Sequence, residues 1–227
     1  MFGNKVSIIM TAYVQTPFQA HMTMASLANV TRYTDPEDYE MILMSDNEKH
    51  PIRDDYKVLK IDKYIKTKNT NYTKSMNEGA KIAQYDYLVF MQNDVFVWEG
   101  WLQGLRQYLD LRLADCVYPD QCPRDRAFVK KSYDMTIAEA MKYGSRDAGL
   151  FMITKKGFEK AGGWNEELTL LAEKDFYQRM GKAGVNYIDT CKVMITHIMA
   201  ATNLQRLHEK PKEYDKMMRK DAKILNG

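Results

Sequence analysis

The sequence predicts an α/β fold: one domain with a mostly parallel central sheet flanked by helices. Two observations carry that expectation. Short apolar runs alternate with longer segments of helical period along nearly the whole chain, the pattern of helices covering a parallel sheet on both faces. With 227 residues, 45% apolar and 11% aromatic, the chain has the size and content of one sizeable core, which excludes disorder over most of its length. No repeat, low-complexity tract or Gly/Ser/Pro-rich linker divides it.

The elements follow in order. Val6–Met10 (VSIIM) is nearly all apolar, as a central strand covered on both faces must be. Ala20–Asn29 reads as a helix with Met22, Ala25, Leu27 and Ala28 as its apolar stripe. Met41–Met44 (MILM) is the second strand and Lys57–Ile61 a third, more exposed one. Asn71–Ala83 is helical, with Met76, Ala80 and Ala83 spaced by four and three. Tyr87–Met91 (YLVFM) is the clearest buried strand, Trp101–Leu111 the next helix and Asp115–Tyr118 a short strand. The polar stretch Pro119–Arg146 reads as a mobile loop with a short helix near Ile137–Tyr143, and strand character returns at Gly149–Ile153. Glu173–Ala183 is an amphipathic helix stopped by Gly184, a natural C-terminal cap. Tyr187–Ile188 and Val193–Thr196 are strand-like, and Pro211–Leu225 is a charged helix with Pro211 near its first turn. Residues 1–205 thus form the main domain and 206–227 a charged helical tail packed on it or extending from it.

Composition narrows the function. The 33 basic and 30 acidic residues leave a net charge of +3, which excludes a generally basic nucleic-acid coat protein. Three cysteines (Cys116, Cys122, Cys191) without metal-type spacing argue against a disulfide framework and for a reducing compartment. No apolar run reaches the ~18 residues of a membrane span, so the expectation is a soluble, cytoplasmic protein. Phosphate-loop, dinucleotide, nucleophile-elbow and zinc signatures are all missing.

Ligands of open α/β sheets bind beyond the carboxyl ends of the strands. The polar residues that follow each apolar run are Thr11, Ala12 and Tyr13; Ser45 and Asp46; Gln92, Asn93 and Asp94; and His197. Two carboxylates, an imidazole and an aromatic ring therefore converge on one rim. Singly, Asp46 and Asn93-Asp94 also read as turn formers and His197 as a core histidine; their common location favours a site. An Asp with a His suits a loosely held Mg²⁺ or Mn²⁺ completed by water and substrate phosphates.

These residues resemble the family 2 inverting glycosyltransferases, nucleotide-sugar enzymes of the GT-A (Rossmann-like) fold. The likeness runs from Val6 to His197 through VSIIMTAY, EMILMSDNE, NYTKSMNEGAKIA, YLVFMQNDVFV, AGGWNEEL and AEKDFYQRMGKAG, six pieces in the family's order. The resemblance implies nucleotide contacts from Thr11, Ala12, Tyr13, Asp46, Asn77 and Asn93, with Asp46 reading uracil. It implies a metal on Asp94 and His197, Glu173 as catalytic base, and Asp175 beside it on the acceptor side. Trp164 either stacks on an acceptor sugar or closes the edge of the core. Three positions depart from the family pattern: Ser45 and Gln92 replace acids, and Glu173 stands where Asp is commoner.

The implied reaction moves a sugar, with inversion, from a nucleoside diphosphate, a UDP-sugar first of all, to a hydroxyl of a glycan, lipid-linked sugar, protein or modified DNA base. Alternatives are a non-catalytic sugar-nucleotide-binding module and, ranked below, a sugar nucleotidyltransferase, whose glycine-rich basic loop TAYVQTPFQ does not offer. The interleaved basic residues of Arg206–Lys223 form either a solvated helix face or a dock for an anionic surface.

Overall fold

The computed structural model describes residues 5–46, 48–50, 52, 59–68, 71–122, 131–132, 134–144, 149–198, 207 and 210–226. Asn47, Lys57 and Val58, Arg206 and His208, and much of the expected loop at 119–146 lie outside that set. Among the described residues eight strands, β1 (Val6–Tyr13), β2 (Tyr39–Asp46), β3 (Lys63–Thr67), β4 (Tyr87–Gln92), β5 (Val95–Val97), β6 (Cys116–Cys122), β7 (Leu150–Thr154) and β8 (Tyr187–His197), form one sheet in the order β3-β2-β1-β4-β7-β6-β8-β5. The β3-β2-β1-β4 half is parallel; β7 enters antiparallel to both β4 and β6, β6 and β8 pair in parallel, and β5 runs antiparallel to β8. The helices are α1 (Pro17–Tyr33), α2 (Tyr72–Ile82), α3 (Trp101–Asp110), α4 (Ile137–Tyr143), α5 (Lys155–Lys160), α6 (Ala172–Lys182) and α7 (Pro211–Asn226).

Alternating side chains of the strands feed a core on each face. Val6, Ile8 and Met10 of β1 join Leu27 and Val30 of α1 and Trp101, Leu102 and Leu105 of α3. Ile9 of the same strand joins Met76 and Ala80 of α2, Phe158 of α5 and Phe176 and Met180 of α6. Ile224 and Leu225 pack α7 against this second core.

The structure moves several expected elements. The third strand begins at Lys63, beyond Lys57–Ile61, because Asp62 ties itself to Met41 through both its N–H and its carboxylate, so pairing starts at Lys63 opposite Ile42. Leu59 and Ile61 supply apolar contact from outside the strand. Tyr187–Ile188 and Val193–Thr196 belong to one strand, β8, whose pairing with β6 shifts register between Tyr118 and Asp120; this irregularity breaks the period-two pattern. In α1 the inward stripe is Ala20, Thr23, Met24, Ser26, Leu27 and Val30, while Ala25 and Ala28 face solvent. Two hydroxyls can face inward because Thr23 donates to the Gln19 carbonyl at 2.8 Å and Ser26 to the Val95 carbonyl at 2.7 Å.

Gly79 sets how closely α2 approaches the sheet. A Cβ there would lie 2.5 Å from Cγ2 of Ile9. Gly79→Ala is expected to cost about 1–3 kcal/mol through overpacking, read as a lower denaturant midpoint; an unchanged midpoint would refute this account of the helix–sheet contact.

Candidate active site

The parallel strands present their carboxyl ends side by side. Tyr13 is paired with Asp46, and Asp46 with Thr67, so three strands place these residues in one row. Asp46 is buried and accepts a hydrogen bond from the Thr67 hydroxyl at 3.2 Å. Thr11 pairs with Gln92 across β1 and β4, and the buried Ala12 side chain belongs to the first core, leaving its backbone at the rim. Ser45 donates to Glu48 at 2.8 Å, as do Lys66 at 3.1 Å and Tyr64. Burial pushes the Glu48 carboxyl up, but these three donors outweigh it and hold it below the ordinary glutamate range. Ser45, where the family pattern has an acid, is thus a donor to a carboxylate three residues on.

Asp94 lies in the turn between β4 and β5, and His197 ends β8. Pairing of Val95 with His197, and donation from the Ile198 N–H to the Asp94 carbonyl at 3.0 Å, bring the two together. The very short strand β5, which the apolar pattern did not reveal, is the device that does so. Asp94 Oδ1 and His197 Nε2 are 3.4 Å apart, with side chains 7% and 10% exposed. That is longer than the 2.7–2.9 Å of a charge-assisted hydrogen bond and close to the ~3 Å between neighbouring ligands of an octahedral ion with bonds of about 2.1 Å. Among the described residues no group of three or more His, Cys, Asp or Glu converges in this way. One oxygen and one nitrogen donor fit a hard divalent ion whose other ligands come from elsewhere.

Other expected residues turn to partners within the fold. The Asn93 amide donates to the Thr23 hydroxyl at 2.7 Å, tying the turn to α1. Asn77 donates to the Trp164 carbonyl and accepts from the Trp164 N–H, both at 2.9 Å, clamping the segment after Gly162-Gly163 onto α2. Those glycines have φ of 79° and 67°, values that side chains adopt only under strain. Asp175 grips Arg179 at 2.7–2.8 Å, and Arg179 donates to the carbonyls of Ala161 and Gly163. Of the two places expected for Trp164, beside an acceptor sugar or at the edge of the core, the ring occupies the core. It is 3% exposed, stacks on Phe176 at 4.6 Å and meets Phe90, Phe151 and Tyr72. Its size and aromaticity made it a sugar-stacking candidate, and the same properties make it a core residue.

Glu173 is half-buried in the first turn of α6, together with Asp175. Tyr72 stands in the first turn of α2. Its buried hydroxyl feels the charge of Glu173 and, less, that of Asp94 in the turn after β4. Burial first, then the negative charge of Glu173, pushes this phenol well above its ordinary value, so it stays protonated. Sequence reasoning missed Tyr72. Its signal was an aromatic directly after Asn71, the helix cap within NYTKSMNEGA.

Comparisons with known proteins bear on the family and the fold. The family model described as Glycosyl transferase family 2 matches residues 7–166. A mannosyltransferase, PcManGT from Pyrobaculum calidifontis, solved with GDP-Man and Mn²⁺, superposes with a TM-score of 0.70 at 12% identity, covering 100% of this chain and 66% of that one. GalNAc-T7, solved with UDP, GalNAc and Mn²⁺, gives a TM-score of 0.67 at 13% identity, covering 86% of this chain and 44% of that one. The chain thus spans about two thirds of the first relative and under half of the second. No curated protein sequence matches it. The architecture is the GT-A fold, and among the described residues no helix is long and apolar enough to cross a membrane.

Proposed function

Because the chain belongs to glycosyl transferase family 2, we propose that it transfers a sugar from a UDP-sugar to an acceptor hydroxyl with inversion at the anomeric carbon. In this reading Glu173 takes the proton of the acceptor hydroxyl. The acceptor oxygen bonds to the anomeric carbon as the bond to the diphosphate oxygen breaks, and that electron pair leaves with the nucleoside diphosphate. A positioned base contributes ~10²–10⁴-fold, and the positive end of the α6 dipole favours the ionised carboxylate such a base needs. Asp94 and His197 would hold Mn²⁺ or Mg²⁺, with its remaining ligands from water and the donor's phosphates. When bound, the ion offsets the negative charge that grows on the leaving diphosphate. The observation that carries the reading is the meeting of Asp94 and His197, an oxygen and a nitrogen donor brought together from separate segments at the end of the sheet.

The uridine preference rests on Asp46. A carboxylate can accept from Thr67 and from the imide N–H of uracil at once, whereas cytosine has no such proton. The two structural relatives were solved with GDP-Man and with UDP, so a competition between those nucleotides is the informative test. UDP is expected to bind more tightly than GDP or CDP in the presence of Mn²⁺, and tighter binding of GDP would overturn the assignment. A thermal-shift panel of UDP-sugars and GDP-mannose, with and without Mn²⁺, tests the wider reading, since a ligand at 100 times its Kd stabilises by about 2.7 kcal/mol. Absence of metal-dependent stabilisation by every donor would count against it.

A further inference from the structure

The segment from Trp164 to Leu171 leads directly into α6, and its backbone is held from two sides. From α2 and its cap, Asn77 holds both backbone groups of Trp164, Asn71 donates to the carbonyl of Glu166, and Thr73 donates to that of Leu168. From α7, Lys220 donates to the Glu167 carbonyl at 2.9 Å. Asp221 does more. Its Oδ2 accepts the N–H groups of Thr169, Leu170 and Leu171 at 2.9, 2.6 and 3.0 Å, with the residue 0% exposed. Three consecutive N–H groups aimed at one oxygen form a backbone nest closed around a carboxyl group.

Helices α1, α2, α4 and α5 are capped locally by the side chains of Thr16, Asn71, Thr136 and Thr154. Leu171, at the cap position of α6, offers no side-chain hydrogen bond. The anchor for the entry of α6 comes instead from residue 221, about 50 residues on. Glu173 lies two residues beyond the last anchored N–H.

We propose that Asp221 is a positioning residue for Glu173, so that the C-terminal helix, outside the matched span 7–166, is part of the catalytic unit. The proposal rests on the reading of Glu173 as base. Asp221 touches no substrate; it fixes the backbone that aims the Glu173 carboxylate, and misplacement by about 1 Å is enough to cost ~10²-fold in rate. A structural role alone, fastening α7 to the domain, would lower stability and leave turnover per folded molecule unchanged.

The test uses the full chain with Asp221→Ala, Asp221→Asn, Glu173→Gln and the double variant Glu173→Gln/Asp221→Asn. Release of nucleoside diphosphate from UDP-glucose, UDP-GlcNAc and GDP-mannose with Mn²⁺ is followed, water serving as acceptor, alongside UDP affinity and amide hydrogen exchange. Asp221→Ala is expected to raise exchange at residues 169–171 and to lower kcat by about tenfold or more, with UDP affinity within about twofold of wild type. Asp221→Asn, whose amide oxygen still accepts N–H groups, recovers part of both effects and keeps the test decisive if the Ala variant does not fold. In the Glu173→Gln background the Asn substitution should have almost no further effect on kcat, the non-additivity of two residues acting as one unit. Wild-type exchange and kcat in Asp221→Ala or Asp221→Asn, or full additivity with a slow Glu173→Gln, would overturn the proposal while leaving the base reading intact. Normal kcat in Glu173→Gln would instead remove the base reading itself.

Discussion

Glu173→Gln is expected to leave donor binding near wild type and to lower transfer by ~10²-fold or more. The substitution keeps the size of the side chain and most of its hydrogen bonding but removes its ability to take a proton. The competing role for this acid is to favour the N-terminus of α6, where it sits in the first turn beside Asp175. That role predicts a stability loss of about 1 kcal/mol or less and normal turnover. The measurement is therefore the rate together with donor affinity on one preparation: loss of both would indicate a damaged pocket, and near-normal transfer would take Glu173 out of the mechanism. Glu173→Asp should recover part of the rate if the shorter arm still reaches the acceptor hydroxyl.

Asp94→Ala should abolish the part of UDP-induced stabilisation that depends on Mn²⁺ and leave the fold intact. With nucleotide at 100 times the wild-type Kd, up to about 2.7 kcal/mol of stabilisation is at stake. His197→Ala should remove less, because a neutral imidazole brings a ligand but no charge. The two side chains face each other at 3.4 Å, and a mere Asp–His contact would give variants that melt differently but respond alike to metal. Retention of wild-type metal dependence in the double variant would show that the ion, if bound, sits elsewhere.

Much of the rim is legible in the order of the amino acids. Runs such as VSIIM, MILM and YLVFM are apolar because both faces of their strands are covered. Once those runs are read as parallel neighbours, Thr11, Asp46 and Asp94 must lie close together, since the chain leaves each strand at the same edge. The family likeness, too, is carried by short segments along the chain, while the fold they build is shared with solved structures at 12–13% identity.

What a side chain does once it reaches its place is not legible in that order. Asn77, Asn93 and Asp175, which the family likeness assigns to ligands, each also have a partner in the fold, at Trp164, Thr23 and Arg179. Trp164 enters the core, and Thr23 and Ser26 turn inward on α1 where an apolar count would place alanines. Tyr72 is buried where it feels the charge of Glu173, and Asp221 closes the nest ahead of α6 from the far end of the chain. Which segments become strands and helices follows from the residues in each segment, because burial of a periodic apolar face is a local property that period and length express. Which polar groups satisfy one another, and which are left for a ligand, is settled only in the folded chain. A buried donor or acceptor takes whichever partner the fold brings within about 3 Å, four residues away for Asp175 and Arg179 but 70 for Asn93 and Thr23.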